Sequence, residues 1–419
     1  MQNTKYSGID WIGNIPNDWT VIRGKFLFEN LKEIVGENEQ DYNRLALTMG
    51  GVIHRDKDDA TGLQSAGFDT YQKVNPGDLI FKLIDLENVK TSRVGLSPFL
   101  GIVSPVYIRL QPKTDEINIK FAEYFYLSLW YRNIFNMLGN GVRSNLTAKD
   151  LLEIPIVYPP AEQQKAIVNY LDEKIPKLDF LIETTEKSIR TLKDYKMARV
   201  SEAVSVGVSS NDKYINSGID YLGEMPESWK VVRLKSILRP VSVKNHGSEQ
   251  VLSLYRDYGV IPKDSRDDNW NVTSLDTNSY KFVRPGQLVI NKMKAWQGSL
   301  AISKIQGIIS PAYHVFEIVN DDVNMDFLHY SLRALRKVPA YRRLSAGMRE
   351  GQWDLGVNDF LSMRIAMPDF QTQKNIVEDI EAFVPKIDKM IADKNSLIAE
   401  LREYKKSIIY EMITGKKKV

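Results

Sequence analysis

Cysteine is absent from the 419 residues, so neither a disulfide framework nor a thiolate zinc site can form. The four histidines, His54, His246, His314 and His329, are too scattered in sequence to suggest a metal centre. No apolar run approaches the ~20 residues that span a bilayer, and no charged-then-apolar leader opens the chain, so a cytoplasmic location is expected. The phosphate loops G-x-x-x-x-G-K-[ST] and G-x-G-x-x-G are missing, and Gly139-Asn-Gly141 is too short to replace them, which excludes ATP-driven chemistry within the chain. Excess charge is lacking too: 56 basic against 53 acidic residues leave a formal charge of +3, so any case for a nucleic-acid partner has to be local. The remaining composition, 43% apolar and 26% charged, is that of a globular chain with room for two hydrophobic cores.

What the chain does contain is a repeat. Ser7-Gly-Ile-Asp-Trp-Ile-Gly-Asn-Ile-Pro-Asn-Asp-Trp19 returns as Ser217-Gly-Ile-Asp-Tyr-Leu-Gly-Glu-Met-Pro-Glu-Ser-Trp229, a shift of 210 residues. Val21, Arg23 and Lys25 continue the match against Val231, Arg233 and Lys235. Strand candidates pair in the same way. Asp78-Leu-Ile-Phe-Lys-Leu-Ile84 and Gln287-Leu-Val-Ile-Asn291 each follow a Pro-Gly turn, and residues 101–110 correspond to 307–316. Residues 48–71, by contrast, have no visible counterpart in 253–280, which suggests two copies of one scaffold carrying private loops.

Each half ends in a periodic helical segment. Leu171, Ile175, Leu178, Ile182, Ile189 and Leu192 alternate spacings of three and four, with Thr185 in one slot. Ile380, Val384, Ile387, Ile391, Ile398 and Leu401 repeat the spacing with Lys394 in the matching gap. The two stripes are expected to form an antiparallel coiled coil. Pro176 and Pro385 predict a helix start or kink at equivalent points. The 177–200 stretch, as helix, would be about 36 Å long, near one turn of B-DNA at ~34 to 36 Å. The predicted fold is therefore α+β: two similar mixed α/β globules joined by two long helices, with a pseudo-twofold internal repeat. The expected divisions are residues 1–160, 161–206, 207–369 and 370–419.

Two groups of residues have the side chains that bind nucleic acid. The run Arg333, Arg336, Lys337, Arg342, Arg343 and Arg349, with Tyr330 and Tyr341 interleaved, suits phosphates, although a solvated helix face explains it as well. Asn291, Lys292, Lys294, Trp296 and Gln297 leave a strand together, and Lys82, Asn88, Lys90 and Arg93 occupy the matching place in the first half, with Arg143 further along. Amide and cationic side chains at a strand exit are the types that read base edges; the competing reading is an ordinary polar loop. Asp194-Tyr-Lys196 and Glu403-Tyr-Lys405 resemble nuclease triplets but lie on the heptad helices, where a solvated face accounts for them. Pro159-Pro160 lacks the preceding Asp or Asn and the following aromatic of an amino-methyltransferase site. No catalytic constellation is found.

These residues resemble the specificity subunit of type I restriction-modification enzymes across the whole chain. The resemblance rests on the doubled Ser-Gly-Ile-Asp signature, the Pro-Gly-Asp-Leu-Ile block at 76–80, and the Gly-Ile-Val-Ser-Pro and Gly-Ile-Ile-Ser-Pro blocks at 101 and 307. Ile154-Pro-Ile-Val-Tyr-Pro-Pro160 followed by Glu162-Gln-Gln164 completes it. The second junction, Met363-Arg-Ile-Ala-Met-Pro-Asp369, departs from the pattern and puts the symmetry of that junction in doubt. The resemblance implies a non-catalytic subunit with two target recognition domains, each reading half of a split sequence in double-stranded DNA. It also implies a coiled coil that fixes the gap and docks two methyltransferase subunits, joined by two restriction and translocase subunits. S-adenosylmethionine, ATP and Mg²⁺ would be used by those partners, with no cofactor in this chain and no membrane contact. Two other classes compete: a fused methyltransferase or nuclease, which needs an S-adenosylmethionine motif that is absent, and a coiled-coil scaffold with no DNA role.

Overall fold

The repeated signature is a hairpin whose residues explain themselves. In the computed structural model, Thr4–Tyr6 pairs with Asn14–Pro16 and Tyr214–Asn216 pairs with Glu224–Pro226, both antiparallel. Ser7 and Ser217 each accept a hydrogen bond on Oγ from the amide two residues on, Ile9 and Ile219, at 3.2 Å. Gly8 and Gly218 hold φ of 80° and 70°, a left-handed conformation that a Cβ would strain. The signature ends in Trp19 and Trp229, both buried. The structure describes residues 3–57, 67–87, 92–139, 145–209, 213–256, 258–266, 273, 277–346 and 353–418.

The chain divides into two compact units, Met1–Thr185 with Ser396–Val419, and Glu186–Asn395. The first is thus assembled from both ends of the sequence. Its central sheet has four antiparallel strands in the order Phe28–Glu29, Ile108–Pro112, Leu79–Phe81, Val94–Leu96. The second unit has the same order in Leu238–Val241, Tyr313–Ile318, Leu288–Asn291, Leu300–Ile302. Helices Ile119–Tyr131 and Met325–Arg333, N-capped by Asn118 and Asn324, belong to corresponding places in the two units.

Two strand expectations need correction. Residues 78–84 do not stay extended; the strand ends at Phe81 and the chain leaves the sheet. Residues 101–110 and 307–316 each split in two, at Ser104-Pro105 and Ser310-Pro311, where Tyr107 and Tyr313 N–H groups bond back to the serine carbonyls at 3.1 Å. Proline cannot donate to a ladder, so the strand turns there.

Of the two expectations for Pro176 and Pro385, a helix start is excluded. The long helices run Ala161–Val206 and Phe370–Ile413, with both prolines inside. An interior proline removes one helical donor, and the buried first turns, including Ile167, Val168 and Leu171, anchor the segment ahead of it. The departing second junction is nonetheless built like the first. Gln164 and Gln373 are buried, accept from the Asn118 and Asn324 amides at 2.8 Å, and donate Nε2 to the Pro159 and Pro368 carbonyls at 2.9 and 3.0 Å. The proline and the glutamine are what the junction needs.

Within the first unit the two helical segments run antiparallel, since Lys405 bonds Asp179 at 2.6 Å and Lys417 lies 6.0 Å from the Tyr170 ring. Within the second, Lys196 pairs with Asp388 at 2.5 Å and Arg199 with Asp379 at 3.1 Å. Lys196 and Lys405 of the nuclease-like triplets are therefore cross-helix ion-pair donors. Leu171, Ile175, Ile189, Ile380, Ile387 and Ile398 are buried, and Leu178, Ile182, Leu192, Val384, Ile391 and Leu401 are half-buried. Thr185, in the polar slot, is buried with its hydroxyl donated to the Leu181 carbonyl at 2.7 Å. Among the described residues no helix is long and apolar enough to cross a membrane.

Candidate nucleic-acid interface

In the second unit the chain leaves strand Leu288–Asn291 through a short loop fixed by its own backbone. Asn291 Oδ1 accepts from the Met293 and Lys294 amides at 3.1 and 3.2 Å, and Ala295–Gln297 forms one 3₁₀ turn closed by Gly298 at φ 79°. Trp296 donates its indole N–H to the Met293 carbonyl at 3.1 Å. The Asn291 carbonyl oxygen is thus committed to shaping the loop. As a correction, Asn291 builds this site and is not free to grip a base in the bidentate manner.

Around that loop the structure brings together residues that lie far apart in sequence. Trp296 meets Trp353 edge to face, with ring centroids 5.3 Å apart, and the Arg342 guanidinium lies 5.4 Å from the Trp353 ring. Lys292 is half-buried with Nζ 3.7 Å from Asp354, and its carbonyl accepts from the Leu355 amide at 3.1 Å. Lys294, Gln297 and Arg342 are exposed. Arg343, also exposed, pairs with Asp220 at 3.3 Å, an interaction of small worth at a solvated surface. The result is an aromatic pair bordered by cations, which presents both flat apolar faces and phosphate-seeking charge. Trp353 was missed by the sequence reading, because nothing in Gly351-Gln-Trp-Asp signals a link to residues more than fifty positions earlier.

The basic run does not act as one face. Lys337 is 3% exposed and donates Nζ to the Ser331 carbonyl at 2.6 Å and to Ser331 Oγ at 3.0 Å. As a correction, Lys337 is a core residue with no access to a phosphate, and Arg333 donates to the Leu300 carbonyl at 2.8 Å. Burial, with Arg336 nearby, pulls the Lys337 pKa down to about 7. An unfolded lysine titrates near ~10.4, so between pH ~7 and ~10.4 the unfolded state binds the extra proton and stability rises with pH. Chemical denaturation at pH 7.5 and 9.5 should show this rise, approaching about 1.4 kcal/mol per pH unit. Lys337→Met should flatten it, and an identical slope in that variant would exclude Lys337 as its source.

The described part of the matching loop of the first unit, residues 82–87, 92 and 93, is built differently. Asp85 sits at φ 52° with its amide bonded to Asn145 Oδ1 at 2.9 Å, and Leu146 N–H bonds the Leu83 carbonyl at 2.9 Å. Arg93 is 1% exposed, and its guanidinium donates to the carbonyls of Lys82, Ile84 and Asp85 at 3.3, 3.1 and 2.6 Å. The expectation that Arg93 reads bases is corrected: it closes the loop from inside. Lys82 is half-buried at its base. Asn88, Lys90, Arg143 and Arg349 lie outside the described residues. Among the described residues no group of His, Asp and Glu is arranged to hold a metal ion.

Residues 64–192 match the family described as Type I restriction modification DNA specificity domain. The chain is 26% identical to the type I restriction enzyme MjaVIII specificity subunit of Methanocaldococcus jannaschii, covering 76% of this chain and 75% of that protein. It is 20% identical to the EcoKI specificity subunit of Escherichia coli strain K12, over 96% of this chain and 90% of that one. A solved structure described as bearing on complex assembly and conformational transition of the type I R-M system has the same fold, with a TM-score of 0.70, 15% identity, and coverage of 96% of this chain and 99% of that chain.

Proposed function

We propose that this chain, a relative of the specificity subunits of type I restriction-modification enzymes, is the DNA-reading and non-catalytic subunit of such an enzyme. Each unit reads one half of a bipartite target in double-stranded DNA. The helix pair fixes the gap between the halves and docks methyltransferase subunits, with restriction and translocase subunits joining them. S-adenosylmethionine, ATP and Mg²⁺ belong to those partners. The observation that carries this reading is the shared sheet order and junction in both units, combined with strand-exit loops whose described residues are held by different contacts. A common frame with private loops is what independent reading of two sequences requires.

The test is methylation mapping of a genome carrying this subunit with its methyltransferase partner. A bipartite motif with methylated adenine is expected, and exchanging residues 30–140 for those of a relative should change one half of it alone. In the second half, Lys294→Ala or Gln297→Ala should relax one base position at a cost of about 1 to 3 kcal/mol. Arg342→Ala should instead weaken all sequences alike. A continuous motif, or both halves changing together, would sink the proposal.

A further inference from the structure

The first unit holds a second cationic site, away from the strand-exit loop. Leu45–Thr48 and Gly51–His54 form a hairpin in which Leu45 faces His54, and the Arg55 amide bonds the Arg44 carbonyl at 2.9 Å. This places Arg44 and Arg55 side by side at the hairpin's open end. There a cleft of about 690 Å³ is lined by Tyr42, Arg44, His54, Arg55, Asp56 and Lys57. Lys57 donates to the Glu39 carbonyl at 2.7 Å, so its charge is held in place without being neutralised by that contact. Among the described lining residues, cationic groups outnumber the one acid, Asp56.

Arg44 is the unusual member. It is 8% exposed, its guanidinium lies 5.5 Å from the Phe68 ring, and its Nη1 is enclosed without a hydrogen-bond partner among the described residues. Leaving a buried donor unmatched is costly, and a guanidinium is the side chain best shaped to satisfy two oxygens of one phosphate. In the second unit the equivalent bridging position is Val251, so the arginine is not required by the shared frame. We infer that this cleft seats a backbone phosphate of DNA, with Arg44 and Arg55 holding the duplex in position without reading its sequence. This rests on the DNA-reading proposal above and adds a contact that none of the sequence-derived candidates includes.

The full chain and its Arg44→Met variant would be titrated with a mixed-sequence duplex of about 30 base pairs at several salt concentrations. Loss of one phosphate contact should lower the slope of log affinity against log salt by about 0.9, so that the fall in affinity between 50 and 200 mM salt is about 3.5-fold smaller. Arg44→Lys should restore most of the slope. An unchanged slope in a folded Arg44→Met protein overturns the inference; if that variant does not fold, Arg55→Met is read in the same way. Failure of the unaltered chain to bind duplex would defeat the DNA-reading proposal. The cleft is then decided by thermal unfolding in inorganic phosphate against chloride at matched ionic strength. Extra stabilisation of the unaltered chain by phosphate, lost in the arginine variant, supports an anion site. Equal shifts in both proteins overturn it.

Discussion

Asp78→Ala should destabilise the first unit by about 3 to 5 kcal/mol, the cost of removing one partner from a buried ion pair. Asp78 and Arg109 are each 2% exposed, with Arg109 Nε donating to Asp78 Oδ2 at 2.5 Å. The same carboxylate accepts from Gln111 Nε2 at 2.8 Å and from the Asn75 amide at 2.6 Å, closing the Pro-Gly turn that precedes its strand. Glu33, 3.8 Å from the guanidinium and half in solvent, is too distant to replace it. Without Asp78 the guanidinium loses its buried partner and keeps only the longer, half-solvated contact with Glu33. The second unit indicates the remedy. There Gln287 takes the turn-closing role, accepting from the Arg284 amide at 2.8 Å, and Val315 stands opposite Val289 where Arg109 stands opposite Ile80. Asp78→Gln combined with Arg109→Val should therefore recover much of the lost stability. Denaturant unfolding of both variants checks this; a single Asp78→Ala variant within 1 kcal/mol of the parent would show that the pair is not structurally important.

Gly307→Ala should be comparably damaging, and Gly101→Ala should match it in the other unit. A Cβ on Gly307 would lie 2.4 Å from the Gln250 carbonyl oxygen and 2.7 Å from Leu252 Cγ. On Gly101 it would lie 2.6 Å from the Asn43 carbonyl oxygen and 2.7 Å from Leu45 Cγ. These carbonyls accept from the next amides, Ile308 at 2.8 Å and Ile102 at 2.9 Å, so the glycines let two backbones close to hydrogen-bonding distance. Backbone cannot swing aside as a side chain can, and overpacking of this kind costs about 1 to 3 kcal/mol or more. Gly95→Ala provides the contrast, since its closest neighbour, at 2.7 Å, is the side-chain atom Leu47 Cδ1. Thermal unfolding should rank Gly307→Ala and Gly101→Ala well below Gly95→Ala; the reverse order would refute the backbone-clearance account.

The repeated blocks were legible in the sequence because each encodes a local constraint. Serine caps, positive-φ glycines, Pro-Gly turns and clearance glycines act over a few residues, so duplication preserves them as visible text. The heptad seams were legible for the same reason, as a periodicity of burial. Arg93 and Lys337 were misread because charge in a sequence gives no sign of burial. Each is held inside by backbone carbonyls that only folding brings within reach. Trp353 and Arg44 were missed for the opposite reason. Their meaning depends on partners in other segments, Trp296 in one case and Arg55 with Phe68 in the other. The long helices outran their prolines because tertiary anchoring of the first turns outweighs one absent donor.

Assembly of the first unit from both ends of the chain imposes an order on biosynthesis. Residues 186–395 form a continuous unit and can fold as soon as they are made. The segment up to Thr185 gains Ser396–Val419 only after the whole of that unit has been made. At about 5–20 residues per second the intervening stretch takes roughly 10–40 s to synthesise. Throughout that interval Leu171 and Ile175 lack the C-terminal helix segment that belongs to their unit, as do the core positions that later pack with Ile408, Ile409 and Met412. A nascent chain stalled before residue 396 should therefore expose apolar surface in its earlier-made portion while its later-made portion is already folded, the reverse of the usual N-terminal-first order.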